Sequence, residues 1–66
     1  MEDVDEATRS ALAMVVEARG LAMAARDLGM VRATITAVIA GTASRASFAL
    51  AREALLRRAQ REESGP

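Results

Sequence analysis

Arginine is the residue with the clearest chemistry in this chain. All nine basic residues among the 66 are arginines, and the sequence contains no lysine, histidine or cysteine. A guanidinium can bind phosphate or guanine through two parallel hydrogen bonds. Without imidazoles and thiolates, only carboxylates could act as acid–base groups, and Asp27 and Glu53 stand among arginines. We therefore expect no enzymatic activity, no cofactor, no metal site and no small-molecule substrate.

The charges are unevenly distributed, although the formal net charge is zero. Residues 1–17 carry a net charge of −4, residues 18–61 carry +6, and residues 62–66 carry −2. A basic segment therefore follows an acidic head, which favours phosphate as a partner of the central segment. The competing explanation of the arginines is coding bias, because an alanine-rich, arginine-rich and lysine-free composition is also typical of a GC-rich genome.

Glycines divide the chain into four segments of helical composition. The only proline is residue 66, and the glycines at 20, 29 and 41 each follow apolar residues at helical spacing. The pattern predicts helices over about 3–19, 21–28 and 31–40, and a fourth helix with Ser44 or Ser47 as its N-cap. Asp3 and Glu6 could form a capping box for the first helix. The β-branched run 34–39 has strand propensity, but it has no hairpin partner, so we expect a helix there.

These segments predict an all-α domain, a compact bundle of about four short helices over residues 1–62, followed by a disordered tail at 63–66. Apolar residues at the spacing of one helix face predict the core. The core candidates are Val4, Thr8, Ala11, Leu12, Val15 and Val16 of the first helix; Leu21, Ala24, Ala25 and Leu28 of the second; Ile35, Val38 and Ile39 of the third; and Phe48, Ala51, Leu55 and Ala59 of the fourth, widened by Leu50, Ala54 and Leu56.

Residues 21–40 carry the most specific pattern. Ala25 is followed by Gly29 four positions later, by Ile35 six positions after that, and by Val38 three positions further on. A small residue allows two helices to cross closely, and glycine allows the positive φ of a tight turn. Ile35 and Val38 would then pack the second helix of the pair against the first. This spacing is typical of a helix-turn-helix.

The stretch resembles the phage-repressor-like helix-turn-helix family of lambda repressor and Cro. It is also similar to the Fis-type helix-turn-helix through Gly20, Ala24, Ala25, Leu28 and Gly29. The helix that follows Gly41 favours the repressor-like family, because the Fis-type unit usually ends with its recognition helix.

The resemblance implies that the second helix of the motif enters the major groove of double-stranded DNA. Arg32 is the only candidate there that can bind guanine O6 and N7 with two hydrogen bonds, while alanine and threonine methyls could contact thymine. A phosphate contact or a solvated side chain is the alternative role of Arg32. The implied base-contacting residues are Val31, Arg32, Ala33, Thr36 and Ala37.

Phosphate contacts would position the domain without reading the sequence. The loop 41–45 is the best candidate, by resemblance and because it offers hydroxyls, backbone N–H groups and an arginine near a helix N-terminus. The alternative role of Ser44 is simple helix capping. The phosphate-contacting candidates are Thr42, Ser44 and Arg45 in this loop, and Arg26 and Thr34 around the first turn of the motif.

The sequence departs from the family at Val31. The family usually places Ser, Thr, Asn or Gln there to cap the recognition helix, and a missing cap costs about 1 kcal/mol. The DNA-facing side is also poor in hydrogen-bonding groups. Two alternatives therefore stand beside a site-specific regulator. One is a sequence-tolerant architectural DNA-binding protein, and the other is a protein-interaction module that keeps the helix-turn-helix fold.

The fourth segment predicts self-association. Phe48, Leu50, Leu55 and Leu56 point over more than one helix face, which is more than a core of this size needs. We expect part of this surface to pair with a second copy, with the first helix as the alternative interface. A homodimer would place two recognition helices about 34 Å apart, one turn of DNA.

The expected function is that of a dimeric transcriptional repressor, cytoplasmic and nucleoid-associated. No apolar run approaches 18 residues, so we expect no membrane span.

Overall fold

The computed structural model describes residues 4–64, and the side chains of residues 5–62. It contains four helices: α1 (Val4–Arg19), α2 (Leu21–Leu28), α3 (Arg32–Ala40) and α4 (Arg45–Ser64). No strand occurs within 4–64, and the β-branched run 34–39 is helical. The prediction of an all-α bundle of four short helices is confirmed. The proposed capping box of Asp3 and Glu6 depends on a residue outside the described range.

The core lies where α1, α3 and α4 meet α2. Leu12, Ile35 and Val38 are its largest fully buried side chains. Small residues complete it, because Ala24, Ala51 and Ala54 are also buried. Alanines at these positions let the helix backbones approach closely, so a chain with one aromatic residue can still exclude water from its centre.

The apolar face of α4 differs in part from the predicted one. Ala54 is 2% exposed and belongs to the core, whereas Ala59 is exposed. Phe48 and Leu55 are half-buried at the edge of the core. The expected inclusion of Ala59 in the core is therefore wrong. Leu50 and Leu56, which were expected to widen this face, are also exposed. The last turns of α4 lie beside the C-terminal ends of α1 and α2, where Arg61 lines a cleft with Arg19 and Asp27.

Helices α1 and α4 run side by side in the same direction. Asp5 near the start of α1 lines a cleft with Phe48 near the start of α4. Further along, Ala11 lines a second cleft with Leu55. The axis of α4 is bent by 106° from that of α3. Because α4 turns away so sharply, α3 keeps one side uncovered by it.

Helix α4 begins at a serine cap and extends beyond the predicted domain limit. Ser44 is its N-cap, since the Ser47 N–H donates to Ser44 Oγ at 3.2 Å, which decides between the two predicted caps. At the other end the helix continues to Ser64, two residues past the predicted domain limit. An ion pair of 2.8 Å between Arg58 and Glu62 spans this last part of the helix. Residues 65–66 of the predicted tail lie outside the described residues.

No single helix within 4–64 is both long and apolar enough to cross a membrane. Helices α3 and α4 meet that length and composition test only when they are taken together as a pair with a bend of 106°. The test involves length and composition alone.

Candidate nucleic-acid interface

A three-residue turn joins α2 to α3. Gly29 adopts φ +65° and ψ 35°, the left-handed conformation expected of it. The Met30 N–H donates to the Ala25 carbonyl at 3.0 Å, which closes the end of α2. The Met30 side chain then turns inward and is 7% exposed. The positive φ predicted for this turn is confirmed.

Helix α3 has one buried and one exposed side. Ile35 and Val38 are fully buried and fix the helix on the core. The predicted base-contacting residues lie on the other side. Val31, Arg32, Ala33 and Thr36 are exposed and Ala37 is half-buried, while the exposed Ala40 extends the same side by one turn. The four predicted residues within α3 therefore lie on its outer side, and the exposed N-cap residue Val31 adjoins them at the start of the helix. We call this surface the α3 face.

Hydrogen bonding on the α3 face is limited to a few groups. The Thr36 hydroxyl donates to the Arg32 carbonyl at 3.0 Å, so its proton is already used. What Thr36 offers outward is its methyl group and its oxygen lone pairs. The Arg32 guanidinium forms no ion pair with any described residue. It is the strongest hydrogen-bond donor on this face.

Val31 is the N-cap residue of α3 and has no capping side chain. Its φ of −71° and ψ of 138° are the extended angles of an N-cap, but no side-chain hydrogen bond closes the helix. Its carbonyl accepts from the N–H groups of Thr34 at 3.0 Å and Ile35 at 3.1 Å. The side chain is 69% exposed. Helix α3 therefore begins without a side-chain cap, as the sequence predicted from valine at position 31.

Replacing Val31 with serine should stabilise the domain. A serine Oγ at this position can accept from an N–H of the first turn of α3, a gain of about 0.5–2 kcal/mol. Little apolar contact is lost, because most of Val31 faces solvent. Thermal unfolding would show a rise of about 4–8 °C per kcal/mol in a domain of this size. Val31→Ala is the matched control, and an equal rise in both variants would contradict the capping argument.

The phosphate-contacting candidates lie at both ends of α3. At its C-terminal end, the Thr42 backbone N–H donates to the Ala37 carbonyl at 2.9 Å and the Thr42 hydroxyl donates to the same oxygen at 3.4 Å. Ser44 caps α4, and Arg45 is exposed in its first turn. Near the N-terminal end of α3, Arg26 is exposed in α2 and Thr34 is half-buried. Helix α3 itself has nine residues and is about 13 Å long.

Arg9 of α1 holds the C-terminal end of α3. Its Nε donates to the Ile39 carbonyl at 3.0 Å, and its Nη1 lies 3.4 Å from a Glu6 carboxylate oxygen. A guanidinium is favourable there because the last carbonyls of a helix are unpaired and carry partial negative charge. Gly41 makes room for it: a β-carbon at this φ of +80° would lie 3.3 Å from Arg9 Cζ. Sequence reasoning missed this contact, since the partners are 30 positions apart.

Arginines also hold the end of α2. Arg19 Nε lies 2.9 Å from Asp27 Oδ2, and Arg61 Nη2 donates to the Asp27 carbonyl at 2.9 Å. Asp27, which the sequence places among arginines, is thus part of the structure that fixes the α2 end of the turn. No group of three Asp, Glu, His or Cys side chains within 4–64 is placed to hold a metal ion.

The nine arginines fall into two groups. Arg9, Arg19 and Arg58 are ion-paired, and Arg61 is bound to a backbone carbonyl. The remaining arginines form no ion pair with the residues that the structure describes, and all of them are exposed. These are Arg26, Arg32, Arg45, Arg52 and Arg57. The first two belong to the α2–α3 region, and Arg45 begins α4 in a cleft that Asp5 and Glu6 also line.

Comparisons with protein-family models, with curated proteins and with solved structures gave no match to this chain.

Proposed function

We propose that this protein binds double-stranded DNA through the α3 face and acts as a dimeric transcriptional repressor in the cytoplasm, associated with the nucleoid. The observation that carries the proposal is the exposed α3 face with its unpaired Arg32, backed by the fully buried Ile35 and Val38. A helix fixed by its inner side can present its outer side to a groove without rearranging. The three-residue turn that contains Gly29 has the length expected of a helix-turn-helix, which supports this proposal.

Electrostatics supports a polyanionic partner. Arg26, Arg32 and Arg45 are exposed and unpaired within the described residues, so they can neutralise phosphates without breaking an ion pair. Helix α3 is about 13 Å long, and the phosphate candidates lie towards its two ends. The same helix would then insert its face into the groove while its two ends meet the backbone.

Repression needs only occupancy of a site. A domain that covers a promoter blocks other proteins from it, and a fold of four helices with a rigid DNA-binding face is sufficient for that. No catalytic step is involved in this mechanism.

A sequence-tolerant architectural role is the second candidate function. It is favoured by the chemistry of the α3 face, where three of the five predicted residues are Val31, Ala33 and Ala37 and where the Thr36 proton is already bonded. Such a face discriminates weakly between base pairs. Binding would then depend mainly on phosphate contacts, with strong salt dependence and no preferred site.

Selection from a pool of random duplexes tests the proposal. Purified protein would be mixed with the pool at physiological salt, and the retained DNA would be sequenced. A palindromic motif with half-sites one helical turn apart is the expected result. Retention without a motif would instead support the architectural role. No retention would contradict DNA binding and leave the α3 face as a protein-binding surface.

A further inference from the structure

An apolar groove lies between α1 and α4, away from the α3 face. Its volume is about 270 Å³. Ala7 and Ala11 of α1 form one wall, and Leu55, Leu56 and Ala59 of α4 form the other. Leu56 stands at the edge of this α1/α4 groove and is 58% exposed. No residue of α3 lines the groove, so an occupant would leave the α3 face accessible.

Helix α1 continues the apolar surface beyond the groove. Ala7, Ala11, Met14 and Ala18 are spaced by four, three and four positions, which places them on one side of the helix. Met14 is 69% exposed. Three small residues and a flexible one make a flat stripe that a neighbouring helix can approach closely. The core does not use this stripe, since Leu12 and Val15 face inward instead.

We infer that the α1/α4 groove binds a second copy of this chain, which makes it the interface of the dimer in the proposed function. Leu56 both lines the groove and protrudes from it, so the surface is complementary to itself. Around a two-fold axis beside Leu56, each copy places this leucine in the groove of the other. Such an isologous contact closes at two copies.

The charges beside the groove also fit a second copy. On the side of α1 next to the apolar stripe stands Glu17, which forms no ion pair with any described residue. On α4, Arg52 lines the groove and is exposed and unpaired in the same sense, while the exposed Glu53 lies on the other side of Leu56. When α1 of one copy lies on α4 of the other, acid meets arginine twice by symmetry. The chain thus supplies both halves of the complementary pair.

Sedimentation equilibrium without DNA tests this interface. The wild-type chain should show a concentration-dependent monomer–dimer equilibrium. Leu56→Glu should raise the dimer dissociation constant about tenfold or more, because it places a charge in an apolar contact. Leu50→Glu is the matched control. Leu50 is 47% exposed on the same helix and lies about 120° around it from Leu56, so its variant should change the constant less than about twofold.

Far-UV circular dichroism would establish that both variants remain helical. A wild-type chain that is monomeric at all accessible concentrations would overturn the interface, and so would equal weakening by the two variants. Because no DNA is present, this result is independent of the DNA-binding proposal. A monomer that selects a DNA motif overturns only the interface, and a dimer that retains no DNA overturns only the proposed function.

Disulfide trapping provides a second test that does not depend on a destabilising charge. The chain contains no cysteine, so a single introduced thiol can cross-link only between copies. Leu56→Cys should form a covalent dimer under mild oxidation, since a two-fold axis beside this residue brings its two Cα atoms within about 7 Å. Leu50→Cys should remain mostly monomeric on a non-reducing gel. Cross-linking at position 50 in preference to 56 would overturn the assignment.

Discussion

Replacement of Ile35 by alanine is expected to remove a large share of the folding stability of this protein. Ile35 is fully buried on the inner side of α3, in one cluster with Leu12, Leu28 and Val38. Removing a buried isoleucine side chain to the β-carbon costs about 2–5 kcal/mol. A chain of 66 residues has a total unfolding free energy of roughly 3–10 kcal/mol at 0.05–0.15 kcal/mol per residue. One truncation therefore removes a large share of the stability.

Urea unfolding followed by far-UV circular dichroism would measure the loss. Intrinsic fluorescence is unsuitable, because the chain has no tryptophan or tyrosine. Val31→Ala serves as the control on the same element, since Val31 is 69% exposed and its truncation should change the unfolding free energy by less than about 0.5 kcal/mol. Similar losses in the two variants would mean that α3 is not held by its inner side, and the rigid presentation of the α3 face would lose its basis.

The difference between the buried and the exposed side of α3 also explains why the α2–α3 region could be predicted from sequence. Its limits are set locally: Gly29 and Gly41 both adopt left-handed angles and end the helices before them. Its inner side follows from helical spacing, which identified Ile35 and Val38. Once the inner side is known, the residues opposite to it must be exposed, and four of the five predicted base-contacting residues are.

Contacts between distant parts of the chain could not be predicted in this way. The hydrogen bonds from Arg9 to Ile39 and from Arg61 to Asp27 join residues 30 and 34 positions apart. No local pattern distinguishes these arginines from the exposed ones, since both kinds occur on polar helix faces. Their selection depends on how the helices are packed, and in particular on α1 and α4 lying against the ends of α3 and α2.

Side-chain chemistry on the candidate site was also only partly predictable. The sequence indicated that Ser44 could cap α4, but it did not indicate that the Thr36 hydroxyl would be engaged by a local backbone carbonyl. Thr36 donates to a carbonyl one turn earlier, and Ser44 accepts from an N–H three residues later. Such short-range bonds compete with any ligand for the same group. Because these groups are already engaged, Arg32 supplies a larger share of the hydrogen bonds that the α3 face can offer to DNA.

Replacing Arg32 with alanine is accordingly expected to reduce sequence preference more than affinity for DNA in general. A guanidinium that binds guanine O6 and N7 contributes about 1–3 kcal/mol of discrimination at that base pair. The loss on a selected duplex would be about 5- to 150-fold, while the loss on random DNA would be much smaller. Competition binding at constant salt, with the selected duplex and a scrambled one, would measure both.

Arg45→Ala is the matched control, because Arg45 is also exposed and forms no ion pair with the described residues but is the first residue of α4, outside the α3 face. A phosphate contact is available on every sequence, so this variant should weaken both duplexes equally and lower the slope of log affinity against log salt by about 1. The two arginines carry the same charge, and only their positions differ. Equal losses on both duplexes for Arg32→Ala would therefore show that Arg32 also binds the backbone, and the architectural role would become the better account of the α3 face.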